Sequence, residues 1–414
     1  MSEWREVKLG EVLTLSQGLA INKQSKHLQT EDNNEIPLLR IADLIEKTKT
    51  RYIKREVPDR FIAHPDELIY TRTGRVGLVF KNRYGVVHNN CFKIKPNEEI
   101  VDKDFLYWLL STKFIYSHVN SIATGAAQPD LTHSKFKSIK VLIPDLEKQK
   151  KISYILSTYD KLIENNNRRI QILEQTAEEL YKEWFVRMRF PGYEKTKFDK
   201  GIPEGWGIKK VDEIISFDIG GGWGEESLMN DFTEQAYVIR GTDIPNMKYG
   251  EFNYELLRYH KKSNLKSRKL ESTDIIFEAS GGSKDQRLGR TFYVTEEILS
   301  MYDNDVICAS FCKLIKIEDK YLSWFFYNYL RYAYQTEILS TFEVQSTGIS
   351  NFGFSKFKKH HQLLVPTSNV MEQFYNLTYP ILVEKQKLGN KNQNLKKQRD
   401  LLLPRLMNGT ITVK

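Results

Sequence analysis

Asp145–Arg187 reads DLEKQKKISYILSTYDKLIENNNRRIQILEQTAEELYKEWFVR and contains neither proline nor glycine. Its apolar positions fall at Ile152, Ile155, Tyr159, Leu162, Ile170, Leu173, Ala177, Leu180 and Trp184, in steps of three and four, with Asn166 filling the central gap. A stripe that narrow is the seam of a coiled coil rather than a broad globular face. The consecutive four-residue steps around Asn166 predict a local unwinding of the heptad there. A helix of roughly 40 residues is about 60 Å long, several times the globular average. It lies near the middle of the chain, so a folded segment is expected on each side.

With 414 residues the chain is long enough for about two to three domains. A hydrophobic fraction of 40% suits folded cores, and a formal charge of +9 with pI near 9.0 leans toward a polyanionic partner. Cys91, Cys308 and Cys312 are too few for a disulfide framework, and no second ligand pair accompanies the last two. They are read as buried thiols, with no metal site. The start, MSEWREVK, has no apolar leader, and no run approaches ~18 apolar residues. The expectation is a soluble, cytoplasmic protein with no membrane partner.

Before the long helix, short β-type runs occur at Val12–Leu15, Ile36–Ile41, Leu68–Tyr70, Gly77–Phe80 and Cys91–Ile94. An aromatic-rich helix is predicted from Phe105 to about Asn120, then a polar loop, Thr124–Pro129, and a strand, Ile139–Ile143. Pro144 closes that strand, and Asp145 is placed to cap the long helix. After Trp184-Phe185 a linker runs from Phe190-Pro191-Gly192 to Gly205-Trp206, and the pattern begins again. Trp206 echoes Trp4, and Asp218-Ile219-Gly220 echoes Ser16-Gln17-Gly18. Ile239–Asp243 echoes Leu39–Asp43, Asp274–Phe277 echoes Glu67–Tyr70, and Leu322–Phe326 echoes Leu106–Leu110. Thr347-Gly348 echoes Thr124-Gly125, Ser355–Lys358 repeats Ser134–Lys137 letter for letter, and Val365-Pro366 echoes Ile143-Pro144. Chance supplies one or two such matches, not an ordered series, so the chain is a tandem duplication of the α+β class.

A second helical segment is expected from about Asn369 to Leu403, with Asn369 and Glu372 as a capping box and Pro380 kinking the helix or delaying its start. Its Asn390, Asn392 and Asn394 resemble the Asn165–Asn167 run, and a buried polar residue on a seam fixes register. Two such helices can pair antiparallel into a spacer with one head at each end. The predicted layout is head 1 at 1–144, a spacer helix at 145–190, head 2 at 191–365 and a second spacer helix at 366–414.

Duplex half-sites read from one face lie about 34–36 Å apart, within reach of such a spacer. The junction Ile143–Ile152 with its LEKQKKI, the LYKEWFV end at Leu180–Val186, the GIPEGW restart at Gly201–Trp206 and RDLLLPRLMNGTI at Arg399–Ile411 together resemble the specificity subunit of type I restriction–modification systems. The resemblance spans essentially the whole chain. Val365–Glu372, VPTSNVME, departs from the LEEQ-like junction of the first half. The resemblance implies two target-recognition domains on a long antiparallel coiled coil, reading a bipartite, asymmetric site on double-stranded DNA. It implies two adenine-N6 methyltransferase subunits docked on the spacer, which two motor-nuclease restriction subunits can join. S-adenosylmethionine, ATP and Mg then belong to the partners, and this chain holds no cofactor.

Candidate DNA-binding residues come from the loops. Arg40 and Asp43 recur as Arg240 and Asp243, either as phosphate or base contacts by the arginine or as ion pairs within each head. Arg72 and Arg75 flank Gly74 after a strand, and the counterpart loop carries Lys284, Arg287 and Arg290. Glycine lets backbone approach a phosphate and arginine forks to phosphate or guanine. Gln128 has the chemistry to read adenine. The aromatics Tyr107, Trp108 and Trp324–Tyr327 are assigned to core packing, although stacked bases are the alternative. His133, His360 and His361 follow the Thr-Gly loops without ligand partners. Gly220–Gly224 and Gly281–Lys284 match neither a dinucleotide nor a Walker loop and read as turns, one of which could lie along DNA. No amino-methyltransferase, zincin or nucleophile-elbow motif occurs, so no catalytic residue is assigned. Another class, a coiled-coil adaptor between proteins with peptide-binding heads, fits the same layout.

Overall fold

The computed structural model describes residues 4–125, 127–281, 286–345 and 349–413. Thr347 and Gly348, part of the sequence echo, lie outside the described residues, as does Lys284. The chain divides into two compact units, Met1–Leu162 with Leu395–Lys414, and Ile163–Asn394. Each unit includes stretches of both long helices, Leu146–Tyr181 and Ser368–Met407. Among the described residues no helix is long and apolar enough to cross a membrane.

The first unit is built on a four-stranded antiparallel sheet in the order Leu13–Gln17, Cys91–Pro96, Leu68–Thr71, Val79–Lys81. A smaller sheet pairs Ile36–Leu39 in parallel with Gly85–Val87. Arg5–Lys8 closes the unit by pairing with Lys140–Ile143. The expected single helix after Phe105 is two, Lys103–Leu110 and Lys113–Ile122. The Thr112 hydroxyl accepts from the Ile115 N–H and starts the second helix afresh. Asp145 caps the first long helix as predicted, its carboxylate accepting from the Lys148 N–H at 2.9 Å.

The second unit repeats this plan. Its four-stranded sheet runs Phe217–Gly220, Cys312–Lys316, Ile275–Glu278, Thr291–Tyr293. Phe232–Ile239 pairs in parallel with Asp305–Cys308, and Gly207–Lys210 closes on Gln362–Val365. The registers align the halves residue by residue: Arg5 opposes Ile143 and Gly207 opposes Val365, while Leu39 opposes Val87 and Ile239 opposes Cys308. One echo shifts by a residue. Gln17 and Gly220 oppose the equivalent Phe92 and Lys313, so Gly18 corresponds to Gly221, not Gly220. The reason is steric. A Cβ on Gly18 would stand 2.4 Å from the His88 carbonyl oxygen, and one on Gly221 would stand 2.2 Å from that of Ala309. The letter-for-letter repeat is also explained, because Phe136 and Phe357 are both fully buried plugs.

Trp108, Trp324, Phe325, Phe326 and Tyr327 are buried and Tyr107 half-buried, as core packing requires. The three cysteines are free and buried, and burial pushes the Cys91 and Cys308 thiols up to about 12.

The seam differs from its predicted course. Ile163 is buried and Leu162 is 45% exposed, so the steps around Asn166 alternate normally and the extra four-residue step falls later, at Ala177–Tyr181. Leu162 and Ile163 are adjacent and equally apolar, so spacing alone could not choose between them. In the second unit, Asn166 donates to Asn392 at 2.8 Å and Asn392 donates to Asn167 at 2.9 Å, while Glu174 pairs with Lys385. These pairs run the two helices antiparallel. In the first unit, Asp160 meets Arg399 at 2.5 Å. Pro380 neither ends nor delays the second long helix, which is unbroken from Ser368 to Met407. Buried Phe374 and Leu382 flank it, and packing of this kind offsets the roughly 3 kcal/mol an interior proline costs.

Candidate nucleic-acid interface

In the first unit the structure brings two predicted loops together. The Gly74 N–H donates to the Pro129 carbonyl at 2.9 Å, so the loop bearing Arg75 lies beside the one bearing Gln128. Both side chains are exposed. Arg72 is not free. Its Nη2 donates to both Asp130 carboxylate oxygens, at 2.7 and 2.8 Å, and its Nη1 to the Gln17 side-chain oxygen at 2.9 Å, while Gln17 donates to the Asn89 carbonyl at 2.8 Å. Arg72 is thus a staple across three loops.

Burial alone would raise the Asp130 carboxyl, but hydrogen bonds from Thr73 and Arg72 outweigh it and hold the group below the usual carboxylate range. Its contribution is therefore present above the unfolded pKa of about 3.9 and lost as pH falls through the depressed folded value. Asp130→Asn should speed amide exchange at Gly74 at neutral pH, and the wild type should approach the same rate only below about pH 4. Equal exchange in both at neutral pH would remove the staple.

The recurring arginine pair is an ion pair in both heads. Arg40 meets Asp43 at 2.7 Å, and Arg240 meets Asp243 at 2.8 Å. Asp43 also accepts from Thr48 and Thr50. Burial would raise Asp43, and the hydrogen bonds from Arg40, Thr50 and Thr48 lower it on balance. In the second unit, Arg290 forks onto buried Glu278. Arg287 meets Glu337 at 2.9 Å near the surface. Carboxylates thus pair with Arg40, Arg72, Arg240 and Arg290, at two nitrogens only for Arg240 and Arg290, whereas Arg75 and Gln128 present exposed side chains. Sequence spacing showed the arginines but not their pairing with Asp130, on a loop 58 residues away, or with Glu278, on the neighbouring strand.

His133 packs edge-on against Phe92, and His361 stacks on Phe357 at 5.0 Å, so both serve the core. Among the described residues no group of His, Cys, Asp and Glu could hold a metal ion.

Residues 1–175 match the family described as the type I restriction modification DNA specificity domain. The chain is 27% identical over 362 residues to the MjaIX type I restriction enzyme specificity subunit of Methanocaldococcus jannaschii, covering 84% of this chain and 78% of that one. It is 22% identical to the HindI specificity subunit of Haemophilus influenzae, covering 99% and 100%. The fold is shared with a type I restriction–modification S subunit from M. genitalium, at a TM-score of 0.61 and 13% identity, covering 100% and 97%. The matched segment takes in the sheets of the first unit, whose strand registers recur in the second. Along most of its length the chain is thus similar to specificity subunits of type I restriction–modification systems.

Proposed function

We propose that this chain is the DNA-reading, non-catalytic subunit of a type I restriction–modification complex. Its two heads read the halves of a bipartite, asymmetric duplex site, and its antiparallel helices are the spacer between two target-recognition domains. The observation that supports this best is the residue-by-residue register of the two heads, one α+β frame used twice in a single chain. A duplicated frame with different loops is what two different half-sites require. Arg75 and Gln128 contact the DNA directly. The carboxylate-paired Arg40, Arg72, Arg240 and Arg290 shape the loops and leave part of each guanidinium for phosphate. Two adenine-N6 methyltransferase subunits dock on the helices, and a motor-nuclease subunit can join. S-adenosylmethionine, ATP and Mg are held by those partners, and the assembly works in the cytoplasm.

The test is duplex binding by the chain in complex with its methyltransferase, titrated with salt. Phosphate contacts release counterions, so log affinity should fall linearly with log salt, by roughly 0.9 per phosphate engaged. Affinity for duplex that is absent or indifferent to salt would overturn the reading and favour a protein adaptor.

A further inference from the structure

One turn occurs in both heads on the same backbone frame. In the first unit the Cys91 N–H donates to the His88 carbonyl at 2.9 Å, and the Asn90 carbonyl accepts from the N–H groups of Arg72 and Thr73 at 2.8 and 3.2 Å. In the second unit the Cys312 N–H donates to the Ala309 carbonyl at 2.8 Å, and the Phe311 carbonyl accepts from Ala279 and Ser280 at 2.9 and 3.0 Å. Gly18 and Gly221 pass beneath these turns at the distances given above. The retained arginine stands beside each: Leu39 accepts from the His88 N–H at 3.2 Å and Ile239 from that of Ala309 at 2.8 Å, and Arg40 and Arg240 follow directly.

The backbone is kept, but the side chains are not. The registers pair Gln17 with Gly220, Arg72 with Ala279, His88 with Ala309 and Asn90 with Phe311. A polar set in one head is an apolar or bare set in the other. The Asn90 side chain has no hydrogen-bond partner among the described residues, and the Phe311 ring is 55% exposed with no aromatic neighbour there. A frame held constant while its presented chemistry changes is the arrangement that assigns different bases to equivalent positions.

We infer that Asn90 and Phe311 are equivalent specificity-determining residues, one for each half-site. Asn90 reads by hydrogen bonds, for which the N6/N7 edge of adenine is the best match. Phe311 reads by apolar contact with a thymine methyl. This rests on the DNA-reading function proposed above.

The test expresses wild type, Asn90→Ala, Phe311→Ala and Phe311→Leu with the methyltransferase in a host free of adenine methylation, and maps N6-methyladenine. A wild-type complex that is assembled but leaves no two-part motif would sink the DNA reading itself, and the inference with it. Given that motif, Asn90→Ala should relax one position of one half, and Phe311→Ala one position of the other. Discrimination there should drop roughly fivefold to 150-fold, the range of a single base contact of ~1–3 kcal/mol. Phe311→Leu should retain the motif. The inference fails if both alanine variants keep the wild-type motif, if both alter the same half, or if Phe311→Leu loses all methylation together with Phe311→Ala.

Discussion

Arg331→Met lowers the unfolding free energy of the second unit by about 2–3 kcal/mol, less than for a fully buried pair because the two carboxylates it leaves stay partly exposed. Arg331 lies on the helix Lys320–Gln335 and meets Glu174 and Glu178 of the first long helix, the latter at 2.8 Å. Its side chain is only 9% exposed, and the two carboxylates are 20% and 23% exposed. Lys385 of the second long helix reaches Glu174 as well, and its side chain is 7% exposed. The cluster therefore ties a helix of the head to both long helices within this unit. Methionine fills much of the volume but supplies no charge, so among the described residues Glu178 is left with the Gln335 amide, at 2.7 Å. Replacing Glu174, Glu178, Arg331 and Lys385 together by apolar residues should cost far less, since no charge is then stranded. Urea unfolding of the full chain checks both. A loss below about 1 kcal/mol for Arg331→Met would place the cluster among surface pairs, whose contribution is that small.

Gly389→Ala is the second large effect, and its sign opposes helix propensity. Gly389 lies inside the helix Ser368–Met407, where alanine is ordinarily favoured by ~1 kcal/mol. A Cβ there would stand 2.4 Å from the Gly250 Cα and 2.5 Å from the Tyr249 carbonyl oxygen. Both are backbone atoms and cannot rotate away. Gly250 has φ +72°, so its turn also depends on glycine. The two backbones are in contact, beside a buried hydrogen bond from Thr295 to Gln386 at 2.8 Å. Alanine must push the turn off the helix, at the ~1–3 kcal/mol typical of overpacking. Thermal unfolding of Gly389→Ala should show a lower midpoint. A raised midpoint would mean that propensity outweighs the clash.

The duplication was legible because it rests on side chains whose roles repeat. Trp4 and Trp206 precede equivalent closing strands, and Phe136 and Phe357 plug equivalent cores. The Gly18 echo slipped by one because three consecutive glycines, Gly220–Gly222, offered equal matches, and only the close backbone approach at Gly221 separates them. The seam slipped at Leu162-Ile163 for a similar reason. The arginines of the candidate interface were visible, but what holds them was not. Asp130 is 58 residues from Arg72, and Glu278 reaches Arg290 across neighbouring strands. Such partners are set by tertiary register, which no local spacing encodes. The equivalence of Asn90 and Phe311 was likewise invisible, since the two share no letter and only their backbone hydrogen bonds correspond.

The most direct test of the central claim exchanges one head. The chain with residues 1–144 replaced by the first head of a relative, and the unaltered chain, are each produced with the methyltransferase in a host lacking adenine methylation, and the methylated adenines are mapped. Two short halves around a fixed unread gap are expected, with one half changed by the exchange and the other half and the gap untouched. An exchange that leaves the motif unaltered, or rewrites both halves at once, would contradict the central claim.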